Sequence, residues 1–407
     1  MRILWVKAGG LVPPDTGGKI RSYSILKHLA KKHDVTLFTF YRKHHGDAHG
    51  ALTDVFRRVV CMPLRMPDDR SLLEAGCYLQ NVFSLRPYAI RKFCRPGVAI
   101  AIRSLLREEM FDVMVVDFAI AGGVIPWEDA VPKLLFTHNV EGQIWLRQFQ
   151  SMKSPLWKAA ALREYLAMSR AEQSFARSAN HVLTVSEPDR KHFSRFIDPS
   201  KITVIATGVD VEFFRPIRHP AESNVLVFTG SMDWSPNQDG MFYLLETIFP
   251  SIKRQVPDVQ LRIVGRAPSA RLRARAARIS GVQVTGRVDD IRPYVQDAAV
   301  YVVPLRIGGG TRIKIFEAMA MGKAIVATSI GAEGLPVAHG KNILLCDQAE
   351  QFASSVVTLL RNPLHRQSLG AAARRLVEDA YSWESVSADF EKVLAKVAVS
   401  GQVVPAA

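Results

Sequence analysis

Pro304-Leu305-Arg306-Ile307-Gly308-Gly309-Gly310-Thr311-Arg312-Ile313-Lys314-Ile315-Phe316-Glu317-Ala318-Met319-Ala320-Met321-Gly322-Lys323-Ala324-Ile325-Val326-Ala327-Thr328 contains a loop, a helix and a strand in immediate succession. The apolar run Ala299 to Val303 ahead of it reads as a strand. Three glycines and a basic turn follow, then a short helix that stops at Gly322 before a second apolar strand. Three glycines let a backbone approach a ligand with no Cβ in the way, and the helix directs its free N–H groups and positive dipole end at the same place. Arg312 and Lys314 add two cations there. A phosphate or diphosphate suits such a site. Glu317, one turn further on, would repel phosphate, so its expected role is to accept hydrogen bonds from sugar hydroxyls, as an acid does on a nucleotide ribose.

Outward from this unit, short apolar runs alternate with helical patterns along the whole chain, which predicts parallel α/β sheets. In the first half, strands are expected at Ile3 to Lys7, Val35 to Thr39, Val59 to Met62, Val113 to Val116, Lys133 to Phe136, Val182 to Val185 and Ile202 to Val204. A helix from about Lys19 to Lys32 lies between the first two. The rhythm restarts at Val225 to Phe228 and continues at Gln260 to Val264, Val282 to Thr285, Ala299 to Val303, Ala324 to Ala327 and Ile343 to Leu345. Arg215-Pro216 and His219-Pro220 break any regular element between the halves. Two Rossmann-like halves are the consequence. Ligands of such sheets bind at the carboxyl ends of the strands, which singles out Gly17 and Gly18, Asp117, His138, Ser186-Glu187, Gly230, Arg266 and the triple glycine.

Glu317 followed by Ala318-Met319-Ala320 resembles the donor site of GT-B glycosyltransferases of the family 4 type. That pattern places a further Glu eight residues earlier, where this chain has Gly309. Thr207-Gly208-Val209-Asp210 with Phe213 and Pro216 is similar to the family's interdomain linker, and Tyr381-Ser382-Trp383-Glu384 to the start of its last helix. The resemblance implies an α/β GT-B fold, with two Rossmann-like parallel-sheet domains facing a central cleft and a C-terminal helix crossing back to the first. Residues 1–215 with about 383–398 would form the acceptor domain, and 216–382 the nucleotide-sugar donor domain. It further implies that Gly17 and Gly18 approach the donor phosphates or the acceptor, with Arg21 behind them. Gly230, Arg266, Gly308, Gly309, Gly310, Thr311 and Glu317 would hold the donor. His138 would contact the transferred hexose, either by a ring hydrogen bond or by passing charge through its backbone carbonyl. Family members usually carry Arg near Ser231 and Lys near Asn237 to neutralise the diphosphate. Both are absent, so Arg312 and Lys314 are expected to have taken over that charge. The implied reaction is retaining transfer of a sugar from a nucleotide-diphosphate sugar to an acceptor hydroxyl, lipid-linked or on a growing polysaccharide, in a branch found in bacterial exopolysaccharide clusters. The leaving diphosphate itself takes the acceptor proton, and no metal or other cofactor is required. A non-catalytic nucleotide-sugar-binding protein, suggested by Gly309, and a GT-B epimerase or phosphorylase remain as alternatives.

Composition bounds these readings. At 407 residues the chain suffices for two domains, each with its own core. Cys61, Cys77, Cys94 and Cys346 show no metal or disulfide spacing and fit a reducing cytoplasm. No apolar run reaches the roughly 18 residues of a membrane span. The net charge is +15, and residues 1–215 carry 31 Lys and Arg against 21 acids while the rest carry 22 against 17. No nucleic-acid-binding motif accompanies this charge. Arg86 to Arg95 and Lys153 to Arg177 mix cations with aromatic and aliphatic residues. Each suits an anionic membrane surface at the inner face of the cytoplasmic membrane, or simply an amphipathic helix with a solvated face.

Overall fold

The computed structural model describes residues 1–42, 46–68, 71–152, 154–216, 224–307 and 313–401. They form two compact units, Met1–Ala206 with Val386–Ala407, and Thr207–Ser385. The first unit holds a 7-stranded sheet of β1 (Arg2–Ala8), β2 (Asp34–Arg42), β3 (Arg58–Leu64), β4 (Val113–Asp117), β5 (Lys133–Phe136), β6 (His181–Thr184) and β7 (Ile202–Val204), in the order β3-β2-β1-β4-β5-β6-β7. The second holds a 6-stranded sheet of β8 (Val225–Thr229), β9 (Gln260–Val264), β10 (Val282–Gly286), β11 (Val300–Val303), β12 (Ala324–Ala327) and β13 (Leu344–Leu345), in the order β10-β9-β8-β11-β12-β13. All pairings are parallel. Helices cover both faces of such sheets, so the central strands are mostly apolar and β4, β5 and β8 are buried at every position.

In each sheet the strand order reverses beside the first strand, between β1 and β4 and between β8 and β11. A crevice opens there at the carboxyl ends, and ligands of doubly wound sheets collect in it. Lys7 of β1 pairs in register with Asp117 of β4 at that point.

The last helix, Trp383–Gly401, belongs from Val386 onward to the first unit. Phe390, fully buried, stacks on Trp5 with centroids 5.5 Å apart and meets Phe136 edge-on at 5.1 Å, while Glu391 pairs with Lys32 and His33. Residues 207–215, expected in the first domain, belong to the second unit instead. Val209 bridges to Ser382 and joins the second core, and Gly208 passes so close to Trp383 that a Cβ on it would lie 2.5 Å from the indole. Truncation of Phe390 to Ala should cost about 3–5 kcal/mol of stability through the cavity it leaves. Urea unfolding of Phe390→Ala beside Phe390→Leu measures this, with the leucine variant recovering a substantial part.

Candidate functional site

In the second unit the crevice is built around Gly230, directly after β8. On one side its carbonyl lies 1.8 Å from where a Cβ on Gly265 would stand, so the ends of β8 and β9 pass with no room for a side chain. On the other side a Cβ on Gly230 would come within 2.8 Å of both Lys314 Nζ and Asn237 Nδ2. Both atoms are the tips of side chains that could give way; the backbone of Gly230, at φ +157°, is what favours glycine here. Lys314 comes from the Ile313–Ala320 helix, lies over the Phe228 ring at 4.1 Å and donates to Asn237 Oδ1 at 2.9 Å. Asn237, 3% exposed, in turn donates to the Ser231 carbonyl at 2.8 Å. Lys314 thus lies against Asn237 and next to Gly230, the residue before Ser231.

Glu317 follows Lys314 on the same helix and is half-buried. Burial pushes its carboxyl up to about 7, against the pull of Lys314. Near neutral pH it therefore gains or loses a proton readily, and as a carboxylate it can accept from a diol. Arg266 is half-exposed and pairs with Asp233 at 3.4 Å, and Arg306 forms a two-pronged pair with Asp239 at 3.1 and 2.7 Å. Gly308, Gly309, Gly310, Thr311 and Arg312 lie outside the described residues.

In the first unit the crevice holds a buried charged network. Asp117 Oδ2 accepts from Lys7 Nζ at 2.9 Å and from Trp5 Nε1 at 2.8 Å, while its Oδ1 lies 2.8 Å from His138 Nε2. His138 Nδ1 lies 2.9 Å from Arg21 Nη1. Burial opposes the charge on Asp117, but Lys7 and His138 outweigh it and hold the carboxyl far below its usual range. Burial lowers His138 to about 4 and Arg21 to about 10. The neutral imidazole then has one consistent arrangement: Nε2–H donates to the carboxylate and Nδ1 accepts from the guanidinium. Both ring nitrogens of His138 are thus engaged by protein groups, and 2% of its surface is exposed.

Phe118 stacks on the imidazole, centroids 4.2 Å apart and 9° from parallel, and holds φ at +73° to do so. Such backbone costs about 1–3 kcal/mol and persists where surroundings enforce it. Its ring also explains Gly18, whose Cβ would stand 2.8 Å from Phe118 Cε2. Gly17 opens the Gly17–Leu29 helix, at whose start Thr16 makes no side-chain cap. Ser186 caps the Glu187–Phe193 helix, accepting from Asp189 N–H at 3.3 Å.

Sequence reasoning missed Lys7 and Glu172. The signal for Lys7 was present: a lysine closing Ile-Leu-Trp-Val-Lys and an aspartate closing Val-Met-Val-Val-Asp are two charges at the ends of neighbouring apolar strands. Glu172 gave none. It is 1% exposed in the Pro155–Ser178 helix and its carboxyl oxygens accept from Glu141 N–H at 2.7 Å and Gly142 N–H at 3.0 Å, which fixes the start of the Glu141–Ser151 helix just after His138. Burial pushes this carboxyl up to about 8 against those two donors.

Two family models match the chain, one described as Glycosyltransferase Family 4 over residues 16–213 and one as Glycosyl transferases group 1 over residues 223–362. The chain belongs to the family 4, group 1 glycosyltransferases. The chain is 32% identical over 216 residues to the phosphatidyl-myo-inositol mannosyltransferase of Mycobacterium tuberculosis, a match covering 50% of the chain and 56% of that relative. The chain thus spans about half the length of the mycobacterial relatives it matches. A Klebsiella pneumoniae protein named "Uncharacterized 44.6 kDa protein in cps region" is 21% identical over 403 residues, 95% of the chain and 97% of the relative. Among solved structures, Anabaena Alr3699/HepE in complex with UDP superposes with a TM-score of 0.69 over 97% of the chain and 100% of its own, at 14% identity, which establishes a GT-B fold.

Asp117→Asn removes the charge that Lys7 faces and should cost the fold about 3–5 kcal/mol, the penalty of an uncompensated buried ion. The wild type should also weaken as pH falls from about 6.5 toward 4, since His138 stays neutral in the fold down to about 4 and titrates near 6.5 when unfolded. Urea midpoints of both proteins across that range check the two effects.

Proposed function

We propose that the protein is a retaining glycosyltransferase that moves a hexose from a nucleotide-diphosphate sugar to an acceptor hydroxyl, lipid-linked or on a growing polysaccharide, in bacterial exopolysaccharide synthesis. The observation that carries the reading is Lys314, held against Asn237 at Gly230 with Glu317 one turn behind it. Lys314, and Arg312 from the same segment, neutralise the diphosphate; Glu317 accepts the ribose hydroxyls; Gly230, Arg266 and the backbone of Gly308, Gly309, Gly310 and Thr311 complete the donor site. The bond between the anomeric carbon and the diphosphate oxygen breaks, the acceptor oxygen bonds to that carbon on the same face, and its proton passes to the departing diphosphate. His138 offers its backbone carbonyl to the developing positive charge at the anomeric centre, its ring fixed by Asp117 and Arg21. The start of the Gly17–Leu29 helix serves the phosphates or acceptor. The lysine supplies the charge that a metal would otherwise supply, and no further cofactor takes part. A UDP-bound neighbour in fold, a lipid-modifying mannosyltransferase among the relatives and a cps-region relative support donor class, acceptor class and setting respectively.

Enzyme assay with nucleotide sugars tests this. Lys314→Ala should lower turnover by about 10²-fold, the scale of one lost electrostatic donor, with a smaller loss of donor affinity, and Asn237→Lys should restore part of it. Glu317→Ala should weaken nucleotide binding by about 1–3 kcal/mol. Because the free carboxyl titrates near 7, affinity should fall about tenfold per pH unit below 7 in the wild type, and not in Glu317→Gln. Unchanged binding and turnover in these variants would sink the reading.

The acceptor's membrane is met by the first unit. Apolar side chains of Arg86 to Arg95 turn inward, Ile90 being 1% exposed, while Arg86, Arg91 and Arg95 face outward. The exposed apolar surface comes from the neighbouring segment, where Leu72 is 93% and Phe83 95% exposed, and from Leu156 and Trp157. Arg163 ties the two segments together through the carbonyls of Asn81, Ser84 and Arg86. Apolar side chains rimmed by arginines suit anionic headgroups at the cytoplasmic face. Flotation with anionic vesicles should show binding that weakens with salt, and the Leu72→Ser, Phe83→Ser double variant should abolish it.

A further inference from the structure

Away from the strand carboxyl ends, the second unit has a cavity of about 430 Å³ at the amino ends of β11 and β12. Lys323, just ahead of β12, and Arg366, Arg374 and Arg375 of the Pro363–Ala380 helix line it. The acid among its lining residues is Asp297, which Arg262 engages at 3.0 Å. Lys323 is nine-tenths buried and its amine donates to the carbonyls of Gln296 at 2.6 Å and Ala298 at 2.8 Å. An ammonium has three protons. Two are used, which leaves a third donor on the cavity wall. Arg374 is committed to the carbonyls of Val211, Phe214 and Ala320 and to Glu378, whereas Arg375 stands exposed at the rim.

We propose that this cavity binds a small organic phosphate of hexose-phosphate size. Arg366 donates to the carbonyls of Leu359 at 2.9 Å and Leu360 at 3.2 Å, so the exposed fork is that of Arg375. The volume falls in the range of small-molecule sites, and a buried amine beside that fork matches a phosphate dianion. Pro216 and Met321 give the rest of the molecule an apolar wall. The occupant sits behind the helix that presents Lys314 and Glu317: Lys323 N–H donates to the Ala318 carbonyl at 3.0 Å, and Arg374 to that of Ala320. Burial lowers the Lys323 amine to about 8, with Asp297 pulling it up, Arg366 pulling it down, and Arg374 and Arg375 adding positive charge. A dianion favours the protonated amine, so affinity falls as the pH rises through 8, where a phosphate monoester with a second pKa of about 6 keeps its own charge.

The test is titration of the full chain with glucose 6-phosphate by calorimetry, with saturating UDP and GDP present to fill the nucleotide site. The expected result is one remaining site per chain, weakened at least tenfold by Arg375→Glu and by Lys323→Gln, and weakened in the wild type between pH 7 and 9. Arg375→Glu is a surface change and carries the test should Lys323→Gln not fold. A single phosphate site that the nucleotides displace, or binding that Arg375→Glu leaves unchanged, would overturn the proposal. Neither result depends on whether the protein transfers sugar.

Discussion

The ion pair between Lys7 and Asp117 is the constraint to which most of the first unit answers. Two charges at the ends of adjacent central strands are taken out of water, and a bare pair would not recover that loss. Asp117 recovers it by accepting from Trp5 and His138 as well, so each of its oxygens is satisfied. Those partners have demands of their own. Trp5 needs Phe136 and Phe390 against its faces, which brings in the last helix. His138 needs Arg21 on its other nitrogen and Phe118 on its ring, and Phe118 accepts a left-handed backbone to lie there. Gly18 is then the residue that fits. Fold and crevice are one set of contacts, and a residue that looks as if it were chosen for a ligand can equally be chosen for a neighbour.

The second unit handles charge differently. Its cation, Lys314, is held by an amide and a ring, and it draws on the carboxyl of Glu317 one turn further along the same helix. Glu317 beside it titrates near neutrality because burial and the lysine pull in opposite directions. The pair is poised, one group charged and one near its midpoint, where the first unit's network is locked.

Much of this was legible in the sequence. Lys133–Phe136, Ile202–Val204, Gln260–Val264 and Ala324–Ala327 have the ends that their apolar runs suggested. That Lys314 would lie near the residues after β8 was legible too, since the glycine loop and the end of β8 both fall at strand carboxyl ends. What was not legible depends on side-chain direction. Nothing in Thr137-His138-Asn139 says that both ring nitrogens point at protein, and nothing in Arg86 to Arg95 says that Ile90 turns in while the Leu72 to Leu85 stretch turns out. Glu172 lies thirty residues from the N–H groups it holds.

The last helix has a consequence for how the chain comes into being. The first unit's sheet is synthesised first, yet Phe390, which covers Trp5, follows the whole of the second unit in the chain. Domains generally fold as units in the order they emerge. Here the order is inverted: residues 207–385 can close their core while the ribosome still holds the segment that the first unit awaits. Until it arrives, Trp5 and Phe136 present an uncovered aromatic surface, and the nascent protein spends that interval as a finished half joined to an unfinished one.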